Sequence, residues 1–207
     1  LNRLLQLTEA QRRRGVVAIS AGNHAKGVAY HAGRLGIPAT IAMPTGTPFA
    51  KVARTESFSA TVIQAGAEIA DLVSLADDLV ARNGLTQIHP YDDPHVIAGQ
   101  GTVGLEMMQA NAEIGTIVVP IGGGGLLAGI AIAVKEMNPS IRLIGVEAAH
   151  YPTMKSEIAG VAAPPGRPTI ADGIAVKYPG KLTRPIIQEF VEDILLISED
   201  HLEWGVQ

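Results

Sequence analysis

The sequence has no cysteine in its 207 residues. Disulfides, thiolate metal sites and a cysteine nucleophile are therefore excluded. Concentrated basic charge is missing too. The net charge is −4, the isoelectric point is near 5.9, and the only basic run is Arg12-Arg13-Arg14. A phosphate-backbone partner needs a concentrated basic face, so nucleic acid is not expected as a partner. Beside Gly15 the arginines read as the last turn of a helix, where cations suit the dipole. No apolar run reaches the length of a membrane span, and no signal peptide opens the chain. The expectation is a globular, cytoplasmic protein with no membrane partner. The six histidines are scattered and form no ligand pair at helical spacing, so a zinc site is not expected.

Hydrophobic residues make up 47% of the chain, ample for one large core or two small ones. Periodicity alternates between helix and strand throughout. Helix is expected in Leu1 to Arg14, with Thr8-Glu9 able to start a second short one, and in His24 to Leu35, Phe49 to Phe58 and Glu68 to Arg82. Further helices are expected in His95 to Asn111, Leu126 to Met137, Pro185 to Phe190 and under Ser198. Strands are expected at 15–20, 38–44, 61–64, 85–88, 141–147 and 194–197, with Thr116 to Ile121 as a central strand. The two prolines and two acids of His89-Pro90-Tyr91-Asp92-Asp93-Pro94 mark a domain boundary, giving units 1–90 and 91–207. Such alternation implies an α/β fold, with parallel sheets covered on both faces and ligands at the carboxyl ends of strands.

Two motifs fall at such ends. After the apolar run Val118-Val119-Pro120-Ile121 come Gly122, Gly123, Gly124 and Gly125, then the apolar helix opened by Leu126. Without Cβ atoms these residues let an anion approach backbone N–H groups at the positive end of a helix. A tight strand-to-helix turn is the alternative, although it needs only one or two glycines. The other motif is Ser20-Ala21-Gly22-Asn23-His24, which offers donors to a carboxylate or a phenolic oxygen or else caps the next helix. A third pattern, Gly99-Gln100-Gly101-Thr102-Val103-Gly104, fits the dinucleotide fingerprint, but it follows a helical rather than a strand-like segment. Close helix packing is the better reading of it.

Together these features resemble the fold-type II pyridoxal-phosphate enzymes, most closely the threonine/serine dehydratases, or threonine ammonia-lyases. The resemblance rests on Ser20 to His24, Met43-Pro44, His89 to Pro94, Val96 to Thr102, Gly122 to Gly125 and Thr169-Ile170-Ala171-Asp172-Gly173, in family order across nearly the whole chain. It implies a tryptophan-synthase-β-like fold with a small domain within 1–90, part of a large domain in 91–207, and pyridoxal 5′-phosphate as cofactor. Gly122 to Gly125 and Leu126 would hold its phosphate. Asn23 would bond its phenolic oxygen, and Gly173 would lie against its ring. Ser20, Gly22 and His24 would surround the substrate carboxylate. The implied reaction is α,β-elimination of L-threonine or L-serine to a 2-oxo acid and ammonia, in a homo-oligomer. Serine racemisation and hydroxyaspartate dehydration are alternatives, and a non-catalytic amino-acid- or nucleotide-binding relative is another.

Several departures qualify the resemblance. The family's Schiff-base lysine lies in a Ser-Phe-Lys-x-Arg-Gly-Ala motif that this sequence lacks, and none of Lys26, Lys51, Lys135, Lys155, Lys177 and Lys181 has that context. No catalytic residue is therefore assigned, and the chain is expected to be an internal, inactive portion of a longer enzyme. Racemases of the family carry a second serine where Ala21 stands, so elimination is the expected outcome. Glu147 matches the first ligand of a family cation site, but Thr153 occupies the second acidic position, so no metal is expected. Asp92-Asp93 reads as a helix cap, Asp77-Asp78 as an exposed face, Glu199 as a residue near a helix start, and Trp204 as a packing residue.

Overall fold

A computed structural model describes residues 1–67 and 69–207. The chain divides into two compact units, Leu1–Pro90 and Tyr91–Gln207. The first opens with two short helices, α1 (Asn2–Leu5) and α2 (Glu9–Arg14). A capping box fixes the start of α2: the Thr8 hydroxyl accepts from the Gln11 amide, and the Gln11 side chain accepts from the Thr8 amide. The arginine run completes its last turn. Arg12 donates to the carbonyls of Leu5 and Leu7, Arg13 pairs with Glu9, and Arg14 donates to the Gly84 carbonyl. These contacts tie the run to the fold.

The strands and helices β1 (Val16–Ile19), α3 (Asn23–Arg34), β2 (Ala39–Met43), α4 (Phe49–Glu56), β3 (Thr61–Gln64), α5 (Leu72–Asn83) and β4 (Thr86–Gln87) follow. A 3₁₀ turn, Ile69–Asp71, precedes α5, and Gly84 closes that helix in the left-handed conformation. The expected helix start at Glu68 lies outside the described residues. The four strands are parallel in the order β3-β2-β1-β4. All of β1 is buried, and because side chains alternate along a strand, this requires cover on both faces. The crossovers β1 to β2 and β2 to β3 step in one direction and β3 to β4 steps back. Right-handed crossovers then put α5 on the face opposite α3 and α4. The reversal creates a switch point beside the carboxyl end of β1, where Ser20 begins the loop to α3.

The second unit contains α6 (Pro94–Ala110), β5 (Thr116–Pro120), α7 (Gly125–Met137), β6 (Arg142–Ala148), α8 (Thr153–Ile158), α9 (Thr183–Phe190), β7 (Asp193–Ile197) and α10 (Glu199–Val206). Its sheet is parallel in the order β5-β6-β7. The core joins Ile117 and Val119 of β5 to Leu127 and Ile130 of α7, Leu143 of β6 and Ile187 of α9. Asp93 caps α6, its carboxylate accepting from the amides of His95 and Val96. The dinucleotide-like glycines lie within α6, where they serve its packing on α7. A Cβ on Gly101 would stand 3.0 Å from the Gly129 carbonyl oxygen, and one on Gly104 would stand 2.9 Å from Val134 Cγ2.

Three expectations are corrected. β5 is an edge strand rather than the central one, and β6 occupies the centre. Ile117 and Val119 are buried while Val118 is 60% exposed; Pro120, which has no N–H to give a ladder, was the legible sign of an edge. Trp204 is 79% exposed on α10, whose residues are all at least partly exposed, so it does not pack in a core. The helix α8 was not foreseen, because its cap comes from a distance. Pro152 precedes it with no side-chain bond, and the buried Glu147 carboxylate accepts from the amides of Met154, at 2.7 Å, and Lys155, at 3.0 Å. Burial raises the Glu147 pKa, and these bonds act against the rise.

Candidate cofactor and substrate sites

In the second unit the glycine run turns the chain from β5 into α7. Gly124 precedes the helix with φ +92°, in the left-handed region, and makes no side-chain cap. The amides of 122–127 have no hydrogen-bond acceptor among the described residues, although Gly123, Gly124, Gly125 and Leu127 are buried. Each buried donor without a partner costs about 1–3 kcal/mol. A row of them at the positive end of a thirteen-residue helix fits an anion. Unpaired N–H donors along a run of glycines are what a cofactor phosphate would require.

The same glycines are also required by packing, a reason that the sequence did not reveal. A Cβ on Gly123 would stand 2.2 Å from Tyr91 Cγ, one on Gly125 2.9 Å from Tyr91 Cα, and one on Gly124 2.8 Å from Thr183 Oγ1. Gly122 brings in a further element. Its Cβ would meet Ile174 Cα at 3.3 Å, so the 3₁₀ turn Asp172–Ile174 lies against the run. Gly173 sits on that turn, exposed and with open space where a Cβ would be. The structure thus brings Gly173 and the glycine run together. Leu126 lies in the first turn of α7, half-buried.

Glu199 braces the approach to this turn. One carboxylate oxygen accepts from the Ile170 amide at 3.1 Å, and the other lies 3.5 Å from His150 Nδ1. A hydrogen bond from Thr169 is the main cause of its lowered pKa, so it is anionic at neutral pH. Its contacts hold the Thr169–Ile170 stretch. Glu147 and Thr153 are both engaged within the unit: the Thr153 hydroxyl donates to the Val176 carbonyl, and the Glu147 oxygens cap α8.

In the first unit, Ser20 follows β1 at the switch point. Its hydroxyl oxygen accepts from the Gly22 amide at 3.1 Å, which leaves the hydroxyl proton available to donate. Gly22 occupies the cap position of α3 with no side-chain bond. Capping by Ser20 or Asn23 is therefore not what these residues do. The amides of Asn23, His24 and Ala25 have no acceptor among the described residues, and they open a twelve-residue helix. Asn23 is exposed, with Oδ1 3.5 Å from Lys26 Nζ. That places its NH₂ group, the half that can donate to a phenolic oxygen, on the other side.

The His24 side chain is engaged within the first unit. Its Nε2 lies 2.9 Å from the Ile88 carbonyl oxygen. A carbonyl only accepts, so Nε2 carries the proton and neutral Nδ1 carries a lone pair. The ring cannot donate to a carboxylate from Nδ1; what His24 offers an anion is its backbone amide. The side chain ties the start of α3 to the end of β4. Burial, against the Ile88 bond, lowers the imidazole below its ordinary 6.5. The folded chain therefore binds this proton less readily than the unfolded chain. The stability involved is present above that value and is lost as pH falls through the lowered one. His24→Gln is expected to flatten the decline of the urea midpoint below the ordinary imidazole range, and identical pH profiles for variant and parent would refute this.

With both sets of donors defined, comparison with known proteins decides the family. The family described as pyridoxal-phosphate dependent enzyme matches residues 1–207. The chain belongs to that family. It is 43% identical over 203 residues to an L-threonine ammonia-lyase of Thermotoga maritima, covering 97% of this chain and 51% of that protein. It is 46% identical over 203 residues to a catabolic L-threonine dehydratase of Escherichia coli K12, covering 97% of this chain and 62% of that protein. The solved structure of maize serine racemase superposes with a TM-score of 0.91 at 37% identity, covering 96% of this chain and 61% of that one. The chain thus spans between half and two thirds of the length of these relatives. The family is fold-type II, in keeping with the parallel α/β sheets. Among the described residues no helix is long and apolar enough to cross a membrane.

Proposed function

We propose that this chain carries the cofactor-phosphate and substrate-carboxylate sites of a pyridoxal-phosphate-dependent ammonia-lyase that eliminates water from L-threonine or L-serine, releasing a 2-oxo acid and ammonia. The observation that carries the reading is the row of unpartnered amides from Gly123 to Leu127, all but that of Leu126 in buried residues. When bound, the cofactor supplies the electron sink that lets the substrate lose its Cα proton and then its β-hydroxyl. The chain's own residues bind and orient. Gly122 to Gly125 and Leu126 hold the phosphate through their amides, and Gly173 leaves room against the ring. Asn23 donates to the phenolic oxygen through its NH₂ group. Ser20 donates its hydroxyl proton to the substrate carboxylate, and the amides at the start of α3, including that of His24, complete its recognition.

Ala21 has no proton to give, so this position cannot reprotonate a substrate from a second face. That favours elimination over the racemisation named for the maize relative. Assembly into homo-oligomers belongs to the same reading; a monomer by light scattering at working concentration would remove it.

The test separates binding from turnover. The 207-residue chain is expected to bind pyridoxal phosphate without converting threonine. A polypeptide that supplies the Ser-Phe-Lys-x-Arg-Gly-Ala motif ahead of Leu1 is expected to release 2-oxo acid from L-threonine and L-serine. If that polypeptide binds the cofactor but releases none from either amino acid, the ammonia-lyase reading fails.

A further inference from the structure

The glycine run has two sides. Its amides are open, but the carbonyl of Gly123 is doubly held: it accepts from the Thr183 hydroxyl at 2.7 Å and from the Gly180 amide at 3.1 Å. Thr183 is fully buried, although its neighbours Leu182 and Arg184 are exposed. The turn that carries it is fastened twice more. The Tyr91 hydroxyl donates to the Tyr178 carbonyl at 2.9 Å, and Asp92 Oδ1 accepts from the Leu182 amide at 2.7 Å. Both fasteners come from the segment whose Tyr91 packs on Gly123 and Gly125.

Peptide geometry makes these contacts matter for the open side. In a planar trans peptide the C=O and the next residue's N–H point in opposite directions. Holding the Gly123 carbonyl toward Thr183 therefore turns the Gly124 amide away from Thr183, out of the Tyr178–Thr183 turn. Glycine flanks the bond on both sides, so the chain itself does little to oppose a rotation of this peptide unit. An external anchor is needed, and Thr183 Oγ1 is the shorter of the two contacts that provide one.

We infer that Thr183 is a positioning residue for the phosphate site: its buried hydroxyl fixes the Gly123–Gly124 peptide so that the Gly124 amide is aimed for an anion before one arrives. The inference rests on the phosphate reading of the run given above. It assigns Thr183 no contact with the ligand. The gain is preorganisation, because a peptide already oriented loses less freedom on binding.

The experiment compares pyridoxine 5′-phosphate with pyridoxine, which have no aldehyde to react with lysines, by calorimetric titration of the 207-residue chain and its Thr183→Val and Thr183→Ser variants. Valine keeps the shape and removes the donor; serine keeps the donor. Thr183→Val is expected to weaken the phosphorylated compound about tenfold, the size of one buried hydrogen bond, and to leave pyridoxine unchanged. Thr183→Ser is expected to keep the parent's preference for the phosphorylated compound. A purely structural role would move both ligands together, so equal weakening, or none, overturns the assignment. Should Thr183→Val not fold, Thr183→Ser decides alone: a folded serine variant that loses the preference overturns it, and one that keeps it supports it. If the unsubstituted chain binds both compounds equally, the phosphate reading itself fails and the assignment falls with it. A preference in the parent that survives in Thr183→Val removes the assignment only.

Discussion

Gly129→Ala is expected to destabilise the second unit by about 3 kcal/mol, measured as a fall in urea midpoint with little change in slope. A Cβ there would stand 2.2 Å from the Ile97 carbonyl oxygen, 2.7 Å from the Gly101 amide nitrogen and 2.9 Å from Gln100 Cβ. Two of these atoms are backbone of the facing helix and cannot swing aside. The helices α6 and α7 must separate, which opens the core around Ile97, Ile130 and Val134. Alanine gains about 1 kcal/mol over glycine in a helix interior, and overpacking against fixed atoms outweighs it. Gly27→Ala provides the control. Gly27 lies in α3 with nothing within 4 Å of its Cβ position, so only the propensity gain remains and the midpoint should rise. Equal effects at the two positions would mean that helix propensity, not the α6–α7 contact, governs both.

Gly129 also shows which kind of information the sequence held. The parallel sheets, the crossover helices and the two glycine-bearing loops were legible because they depend on local periodicity and on turns. Fold-type II membership was legible from motif order, since Ser20 to His24, Gly122 to Gly125 and Gly173 recur in one arrangement. Long-range partners were not. The capping of α8 by Glu147 spans seven residues, the Ile88 bond that fixes the His24 tautomer spans 64, and the Thr183 hold on Gly123 spans 60. In each case local rules assign a different role or none. For His24 the local motif placed the residue beside an anion without saying which of its groups faces it, and a distant carbonyl engages the ring nitrogen. The packing demand on the glycine run was not legible either, because the contact of Tyr91 with Gly123 and Gly125 is visible only in three dimensions.

Gly124→Ala is expected to weaken pyridoxine 5′-phosphate binding about a hundredfold, the equivalent of two lost hydrogen bonds, and to destabilise the fold by about 2 kcal/mol. At φ +92° an L side chain is strained whatever the space, and here the space is closed. The new Cβ would stand 2.7 Å from Met154 Cε and 2.8 Å from both Ile187 Cδ1 and Thr183 Oγ1. The methyl ends of Met154 and Ile187 can yield, which limits the stability loss. Thr183 cannot yield without releasing the Gly123 carbonyl, and a rotation of φ toward negative values redirects the Gly124 amide itself. Each route of relief disturbs donors that the phosphate needs. Gly173→Ala tests the opposite case, because its Cβ would enter open space and its φ is not in the left-handed region. Stability should stay within about 0.5 kcal/mol of the parent, while binding of pyridoxine 5′-phosphate should still weaken if the ring lies against that backbone. Unchanged binding by Gly173→Ala would remove Gly173 from the site but leave the phosphate loop intact. Unchanged binding by Gly124→Ala would show that the open amides at the start of α7 do not hold the phosphate, whatever the fold requires of the glycine there.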